Sequence, residues 1–307
     1  MSLETDLLLD RRRLKRRLVF WRVFAVVALV VAALAGLRGA GLIPEGAHIE
    51  RVTVNGLITD DRKLTQAVSG LADDDHVKAV IVSIDSPGGS VAGGETLHDA
   101  IARVAAKKPV VVTMGGLAAS AGYMIAVPAS RIFARESTLT GSIGVLLQTG
   151  DISGLLGKLG INAEVIRSGP LKDEPSLVRP LSPEGKVVLQ GLVTDMYDQF
   201  VNMVAAGRHL DPAKVRSLAD GRAYTGHQAL GLGLVDAIGG EREAKDWLTS
   251  AKGVPAGLPV QDLSDGGIAS HALSGELGMV VLDVWKSLIS QSVSLDGALA
   301  VWQRSGN

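Results

Sequence analysis

The sequence contains no cysteine. This absence excludes disulfide bonds, a thiol nucleophile and any metal site or cluster that needs cysteine ligands. It does not identify a compartment, because cysteine-free chains occur in oxidising and reducing surroundings alike. Aromatic residues are also scarce, at 4% of the 307 residues. The chain therefore offers little surface on which nucleic-acid bases or sugars could stack.

An excess of positive charge is missing as well. The 31 lysines and arginines are balanced by 32 acidic residues, which gives a net charge of −1. Binding to nucleic acid through its phosphates is disfavoured, because that mode requires a basic surface. None of the six histidines has the spacing of a metal-binding motif, so we predict neither a metal nor another cofactor. The hydrophobic share of 47% is typical of a folded protein of one or two domains.

The N-terminus has the pattern of a membrane anchor. Six basic residues lie between positions 11 and 17, and residues 18–37 are apolar except for Arg22. A helix of about 20 residues rises about 30 Å, which matches the hydrocarbon core of a bilayer. We predict a cytoplasmic basic segment at 1–17, a single transmembrane helix at 18–37 and a linker at 38–48. By the positive-inside rule, the rest of the chain lies outside the cytoplasm, in the periplasm of a cell with two membranes.

Two other interpretations of this segment remain open. It resembles a cleaved signal peptide, because its uninterrupted apolar stretch from Val23 to Leu37 is short enough for one. It is also compatible with a buried helix of a soluble protein. The anchor and the signal peptide both predict that the remainder of the chain is exported.

Short apolar strands alternate with helices from residue 49 to residue 252. This order predicts an α/β domain with a largely parallel sheet, followed by an extension of unclear role at 253–307. Strands are predicted at 51–55, 79–84, 110–114, 131–134, 143–148 and 163–167. Helices are predicted at 90–106, 121–127, 183–207, 228–232, 241–249 and 276–290, with a short one after Pro212.

Two glycine-rich turns are candidates for chemistry. The turn Asp85–Ser90 joins a buried strand to a helix, and Gly88 and Gly89 allow its backbone N–H groups to point outward as an oxyanion hole. Such turns are also common as purely structural features. In the second turn, Ser120 lies among small residues at the start of a helix, where a nucleophile is favoured by the helix dipole. The alternative role for Ser120 is that of an ordinary helix N-cap.

A serine nucleophile needs a base, and two residue types are candidates. No histidine lies in a loop that evidently faces Ser120, and His98 is predicted on the solvent side of its helix. Lys172 lies in the irregular loop Ser168–Pro175. Because an ordinary lysine has a pKa near 10.4, a lysine base requires desolvation. Asp173 and Glu174 would oppose this effect, so their carboxylates should point away from the amine.

The combination of motifs resembles the signal peptide peptidase A family, in its short form. That family consists of membrane-anchored serine proteases with a Ser–Lys dyad on a Clp-protease/crotonase-like fold of repeated β-β-α units. The resemblance covers residues 49–250 and rests on motifs that occur in family order: Asp85–Ser90, Ala118–Tyr123, Thr138–Val145, Ser168–Glu174, Gly221–Ala229 and Gly233–Asp236.

The resemblance implies roles for individual residues. Ser120 matches the nucleophile, Lys172 the general base, and Ser142 the serine that hydrogen-bonds the lysine. The oxyanion donors would be the N–H of Gly88 or Gly89 and that of Ala121, where many relatives carry glycine. One chain carries both dyad residues, as in the short relatives, and such a chain implies a homo-oligomeric ring, an octamer.

We therefore predict a membrane-anchored endopeptidase that cleaves extended apolar peptides, chiefly remnant signal peptides, through an acyl-enzyme. Two alternatives remain. One is a crotonase-like enzyme acting on acyl thioesters, which would need a nucleotide site and no exported anchor. The other is a catalytically inactive membrane scaffold, which the presence of both Ser120 and Lys172 disfavours.

Overall fold

The computed structural model describes residues 17–33 and 46–263. Residues 17–33 form a helix, α1, whose side chains are exposed. Within these two ranges, no helix combines the length and the apolar character needed to cross a bilayer. The predicted span ends at residue 37 and so lies partly outside the described residues. Most of the basic segment 1–17, most of the linker 38–48 and the helix 276–290 also lie outside them.

Residues 47–263 belong to one compact unit built on a mixed sheet. Its hydrogen-bonded order is β6-β5-β3-β2-β1-β8, with β4 beside β3 and β7 beside β4. All pairs are parallel except β5 with β6. The strands are β1 His48–Ile58, β2 Val77–Gly89, β3 Val110–Ala119, β4 Arg131–Ala134, β5 Leu139–Gly141, β6 Ala223–Thr225, β7 Ala237–Ile238 and β8 Val260–Asp262.

Helices alternate with the first strands, as predicted for an α/β chain. They are α2 Arg62–Gly70, α3 Val91–Ala105, α4 Ala121–Met124, α5 Ser153–Lys158, α6 Pro183–Arg208, α7 Pro212–Leu218, α8 Gly226–Leu232 and α9 Glu241–Lys252. The predicted N-caps form: Ser90 accepts a hydrogen bond from the N–H of Gly93, and Ser182 accepts one from Gly185. Strand β8 pairs with β1, so the folded unit continues past residue 252.

The core lies on both faces of the central strands β2 and β3. Their β-branched runs are fully buried, which is the environment that a continuous apolar strand predicts. One face packs against α3, α4 and the C-terminal half of α6, and the other packs against α9. Arg208 at the end of α6 is held by two hydrogen bonds, of 3.0 and 2.5 Å, to the carboxylate of Asp236.

Two of the predicted strands are wrong. Residues 143–148 and 163–167 are irregular, although both are rich in residues that favour strands. Ile143 is buried, but Leu146 is 82% exposed and Ile166 is fully exposed. Strand propensity largely reflects packing on a sheet, and within the described residues no strand pairs with either segment.

The apolar stripe predicted along α6 is buried over only part of its length. Phe200 and Val204 pack into the core, whereas Val188 and Leu192 are about half exposed. The N-terminal half of α6 therefore extends beyond the core of its own chain. Leu146, Leu155, Leu159 and Val187 are also exposed in the neighbouring stretch 146–192.

Candidate active site

The site forms where three neighbouring strands end. Ser86 near the end of β2 is paired with Ala118 of β3, and Ala119 of β3 is paired with Gly141 of β5. The carboxyl ends of parallel strands meet at one edge of a sheet, which is the usual place for a site in α/β proteins. Consequently the last residues of β2, Gly88 and Gly89, lie side by side with Ser120 and Ser142.

Ser120 has a backbone conformation that non-glycine residues rarely adopt, with a φ of +54°. Its N–H donates to the carbonyl of Gly141 at 2.9 Å, which ties the turn to β5. Its hydroxyl makes no capping hydrogen bond to α4. The N-cap role considered for this serine is therefore not the one its side chain performs. Strained residues of this kind cluster at functional sites.

The helix that follows Ser120 is rigidly anchored. Tyr123 is completely buried, and its hydroxyl donates to the carbonyl of Leu234 at 2.8 Å. Burial raises the pKa of the Tyr123 phenol, so the group stays a neutral donor. Helix α4 is thus fixed to the core directly beside the serine.

Gly88 lies close to Ser120, and residues 85–89 continue strand β2 where the sequence predicted a turn. A Cβ at Gly88 would lie 2.8 Å from the Cβ of Ser120 and 3.1 Å from the N of Ala121, and Gly88 has a φ of +108°. Only glycine fits both the space and the conformation. The end of β2 and the start of α4 are therefore in direct contact, as an oxyanion hole shared between them requires.

The backbone N–H groups of Gly88 and Gly89, the two candidate oxyanion donors at the end of β2, differ in their surroundings. The N–H of Gly88 donates to the hydroxyl oxygen of Ser86 at 3.0 Å, whereas Gly89 lines the cavity in front of Ser120. Ala121 is the first residue of α4, so its N–H has no acceptor within the helix. Many relatives are expected to have glycine at this position, and the alanine of this chain keeps the same backbone N–H donor.

A cavity of about 630 Å³ opens in front of Ser120. Ser142 lies in its wall, with a φ of +47° and a hydroxyl that donates to the carbonyl of Gly221 at 3.1 Å. Apolar side chains supply much of the remaining wall. They come from the start of α3, the segment after Ser142 and helix α6, and include Val91, Val145, Leu146, Val193 and Tyr197.

Gly88 and Ala121 adjoin Ser120 without lining this cavity, whereas Lys172 lies away from the cavity altogether. The lysine lies in an irregular loop, it is exposed, and it is not among the residues that line the cavity of Ser120. Its own N–H donates to the carbonyl of Gly169 at 3.2 Å. Asp173 and Glu174 form ion pairs with Arg179 and none with Lys172, in agreement with the expectation that they point away from the amine.

The histidines do not take the place of the lysine. His98 is half-buried on α3 and contacts Asp99 at 2.9 Å, and His227 contacts Glu136 at 3.0 Å. No histidine is among the residues that line the cavity of Ser120. Over residues 17–33 and 46–263, no cluster of three or more histidine and acidic side chains is arranged to hold a metal ion.

Comparison with known proteins identifies the family. Residues 102–255 match the family model described as Peptidase family S49. A protein of Synechocystis sp. named as a protease, slr0021, is 42% identical over 207 residues, which are 67% of this chain and 75% of that protein. The chain belongs to peptidase family S49. An S49 relative from Enterococcus faecium, named as a signal peptide peptidase, SppA, is 35% identical over 86% of this chain and 80% of its own length.

Membership of S49 makes the chain a serine protease and confirms the family predicted from its motifs. Residues 50–141 also match the Clp protease family model, which supports the predicted Clp-protease-like α/β fold. The S49 match favours a peptidase over the acyl-thioester enzyme considered as an alternative.

Several residues of the site were not predicted from the sequence. Val193 and Tyr197 of α6 reach the cavity although they are about 70 residues from Ser120 in the chain. The stripe of apolar residues along α6 indicated a helix that packs against the core. No local pattern showed which residues of this helix would line a cavity. The burial of Glu174 was likewise missed, because a charged residue in a loop is usually solvated.

Gly88→Ala should damage the site more than the fold. The new Cβ would push against Ser120, so we expect the reaction with a fluorophosphonate serine reagent to slow by at least about tenfold. The free energy of unfolding should fall by about 1–3 kcal/mol, measured by urea denaturation. Gly56→Ala is the matched control, because Gly56 also has a positive φ but has open space around it. Equal reactivity of the two variants would show that the Gly88–Ser120 contact does not shape the site.

Proposed function

We propose that the protein is a Ser–Lys endopeptidase in which Ser120 is the nucleophile and Lys172 is the general base. The observation that carries this proposal is the position of Ser120 at the edge of the sheet. Its hydroxyl makes no capping hydrogen bond to α4, and the residue lines a large cavity. The Ser120 oxygen attacks the scissile carbonyl carbon while the neutral amine of Lys172 takes its proton. The protonated amine then gives that proton to the leaving nitrogen, and the peptide bond breaks.

Water completes the reaction. Lys172 removes a proton from a water molecule, which attacks the acyl-enzyme ester. As the ester bond breaks, the protonated amine returns that proton to the Ser120 oxygen, and the acid product is released. In both steps the negative charge on the carbonyl oxygen is stabilised by the N–H of Ala121 together with that of Gly88 or Gly89. The contact between Gly88 and the start of α4 supports this pairing, since it brings the two sets of donors to one point.

In this mechanism the loop of Lys172 must meet the cavity that holds Ser120 and Ser142. The amine would then lie beside Ser142, whose hydroxyl is already in the cavity wall. The exposed apolar residues between 146 and 192 support assembly into a homo-oligomer, for which the family resemblance suggests an octameric ring. Assembly would cover this stretch, which includes the loop of Lys172.

Extended apolar peptides are the proposed substrates, chiefly the remnants of signal peptides. The apolar wall from Val91, Val145, Leu146, Val193 and Tyr197 supports this choice, because such a surface binds aliphatic side chains. The name of the Enterococcus faecium relative points to the same class of substrate. The proposal includes an N-terminal anchor at 18–37 that places the enzyme in the bacterial inner membrane, facing out of the cytoplasm. It requires no metal or other cofactor.

Lys172→Ala should lower kcat for a fluorogenic apolar peptide by at least about 10²-fold, because a positioned base contributes that much or more. Its exposed loop position predicts an unchanged thermal midpoint. Lys186→Ala, at another exposed lysine, is the control. Activity near that of the unmodified enzyme in Lys172→Ala would contradict the dyad. An inactive scaffold would show no hydrolysis by any variant, including the unmodified protein.

Coexpression of Ser120→Ala and Lys172→Ala chains then identifies which copy supplies the lysine. Recovered activity in the mixture requires one copy to supply Ser120 and another to supply Lys172. A mixture without activity assigns both residues of each site to the same chain.

The pH dependence distinguishes a lysine base from a histidine base. A lysine accepts a proton only when it is neutral, so kcat/KM should rise with pH and continue to rise above about pH 7. A histidine base would place the ascending limb near pH 6.5. The measurement is the pH profile for an uncharged apolar peptide with the unmodified enzyme and with His98→Gln. An ascending limb near pH 6–7 that disappears in His98→Gln would overturn the lysine mechanism.

The orientation in the membrane has its own test. The basic residues before position 18 predict that everything after residue 39 lies outside the cytoplasm. Protease added to intact spheroplasts should therefore digest the peptidase domain, whereas in everted vesicles the domain should be protected. Digestion confined to everted vesicles would reverse the assigned orientation. Release of the domain as a soluble, shortened chain would identify a cleaved signal peptide.

A further inference from the structure

Two residues after Lys172, a carboxylate is buried without hydrogen bonds. The side chain of Glu174 is only 3% exposed, and neither of its carboxylate oxygens has a hydrogen-bond partner in the part of the chain that the structure describes. Its charged partner is Arg179, whose Nη1 lies 3.6 Å from Oε1. Burying a carboxylate in this way costs stability. Such a group in a native fold calls for an explanation other than stability.

The carboxylate occupies a space that a glycine leaves open at the start of α6. A Cβ at Gly185 would lie 2.7 Å from Cδ of Glu174 and 2.9 Å from its Oε2. Gly185 is in the first turn of a 26-residue helix, and its N–H donates to the capping hydroxyl of Ser182 at 2.9 Å. The positive end of the helix dipole favours a negative charge at this position.

Arg179 attaches the same loop at a second point. Its Nε donates to Oδ2 of Asp173 at 3.1 Å, and its Nη2 donates to the backbone carbonyl of Asp173 at 3.0 Å. The residue that follows Lys172 is therefore fixed through both its side chain and its backbone. Glu174 then connects this segment to the first turn of α6.

Helix α6 also contributes to the cavity of Ser120. Gln190, Val193, Thr194 and Tyr197 lie in the cavity wall, about one and a half to three and a half turns beyond the contact with Glu174 at Gly185. The loop of the proposed base and the wall of the substrate cavity are thus joined through one buried side chain. A shift of Glu174 would move the loop of Lys172 relative to that wall.

We propose that Glu174 is a positioning residue that locks the Lys172 loop onto the first turn of α6. It does not touch the reacting atoms, and it acts by fixing where the lysine amine is presented. This inference rests on the proposed Ser120–Lys172 mechanism. It assigns the buried carboxylate to the geometry of catalysis, which explains why the chain keeps a buried carboxylate that lacks hydrogen bonds.

Glu174→Gln is the first test, because it keeps the shape of the side chain and removes its charge. We expect kcat for the uncharged apolar peptide to fall about tenfold or more, since small displacements of a catalytic group have effects of this size or larger. KM should stay within about twofold, and the thermal midpoint should change little, because Arg179 keeps its two hydrogen bonds to Asp173. Glu184→Gln removes an exposed carboxylate from the same helix turn and should leave all three quantities unchanged.

Gly185→Ala tests the same contact from the helix side. The added methyl group should displace Glu174 and lower kcat as Glu174→Gln does, whereas Gly191→Ala places a methyl group in open space on the same helix. The double variant Glu174→Ala/Gly185→Ala completes a double-mutant cycle that measures the coupling between the two residues. In a Glu174→Ala background, Gly185→Ala should cause no further loss of kcat, because the group that it displaces is absent.

The outcomes separate this inference from the mechanism on which it rests. If Glu174→Gln and Gly185→Ala keep full kcat while Lys172→Ala is inactive, the positioning role is wrong and the dyad stands. If kcat falls only in proportion to a lowered thermal midpoint, or if the two losses multiply in the double variant, the role is structural and the inference is also overturned. If Lys172→Ala is active, the dyad itself fails.

Discussion

The contact between Gly88 and Ser120 is the constraint on which the site depends. The glycine approaches so closely that a methyl group in place of its hydrogen would overlap the serine. This approach is possible only because β2 and β3 are paired in parallel, with their carboxyl ends at the same edge. The hydrogen bond from Ser120 to Gly141 extends the same alignment to β5. The register of three strands thereby fixes the positions of Ser120, the amides beside it and Ser142.

The site is rigid on one side and incomplete on the other. Strand ends and the anchored helix α4 hold Ser120, and the buried Tyr123 prevents that helix from moving. Lys172 depends instead on a loop, and the loop depends on Arg179 and on a buried carboxylate against α6. A loop attached by charged groups can be oriented without contributing to the core. The proposed base, Lys172, is therefore presented by polar contacts, whereas the proposed nucleophile, Ser120, is presented by the sheet.

Exposed apolar residues are concentrated in the stretch that carries Lys172 and are few around the sheet that holds Ser120. The sheet and the helices on its two faces bury their apolar side chains within one chain. The stretch 146–192, which carries the loop of Lys172, leaves Leu146, Ile166, Val187 and Leu192 in solvent. A surface of this composition is typical of an interface. Assembly of the homo-oligomer would then also bring Lys172 to the cavity of Ser120, since the stretch 146–192 takes part in both.

The sequence by itself determined the family, the α/β class and the pieces of the site. Gly88 and Ser120 were recognisable because tight connections at strand ends leave local patterns of small residues, whereas Ser142 was indicated only by the family resemblance. The irregular course of 143–148 and 163–167 was not predictable, because strand formation requires a partner strand that no local pattern reveals. Only the tertiary structure decided that α6 lines the cavity, that Lys172 lies outside it and that Glu174 is buried. Each of these depends on contacts between segments distant in the chain, and the free energy of burying a side chain is fixed by what the fold places around it.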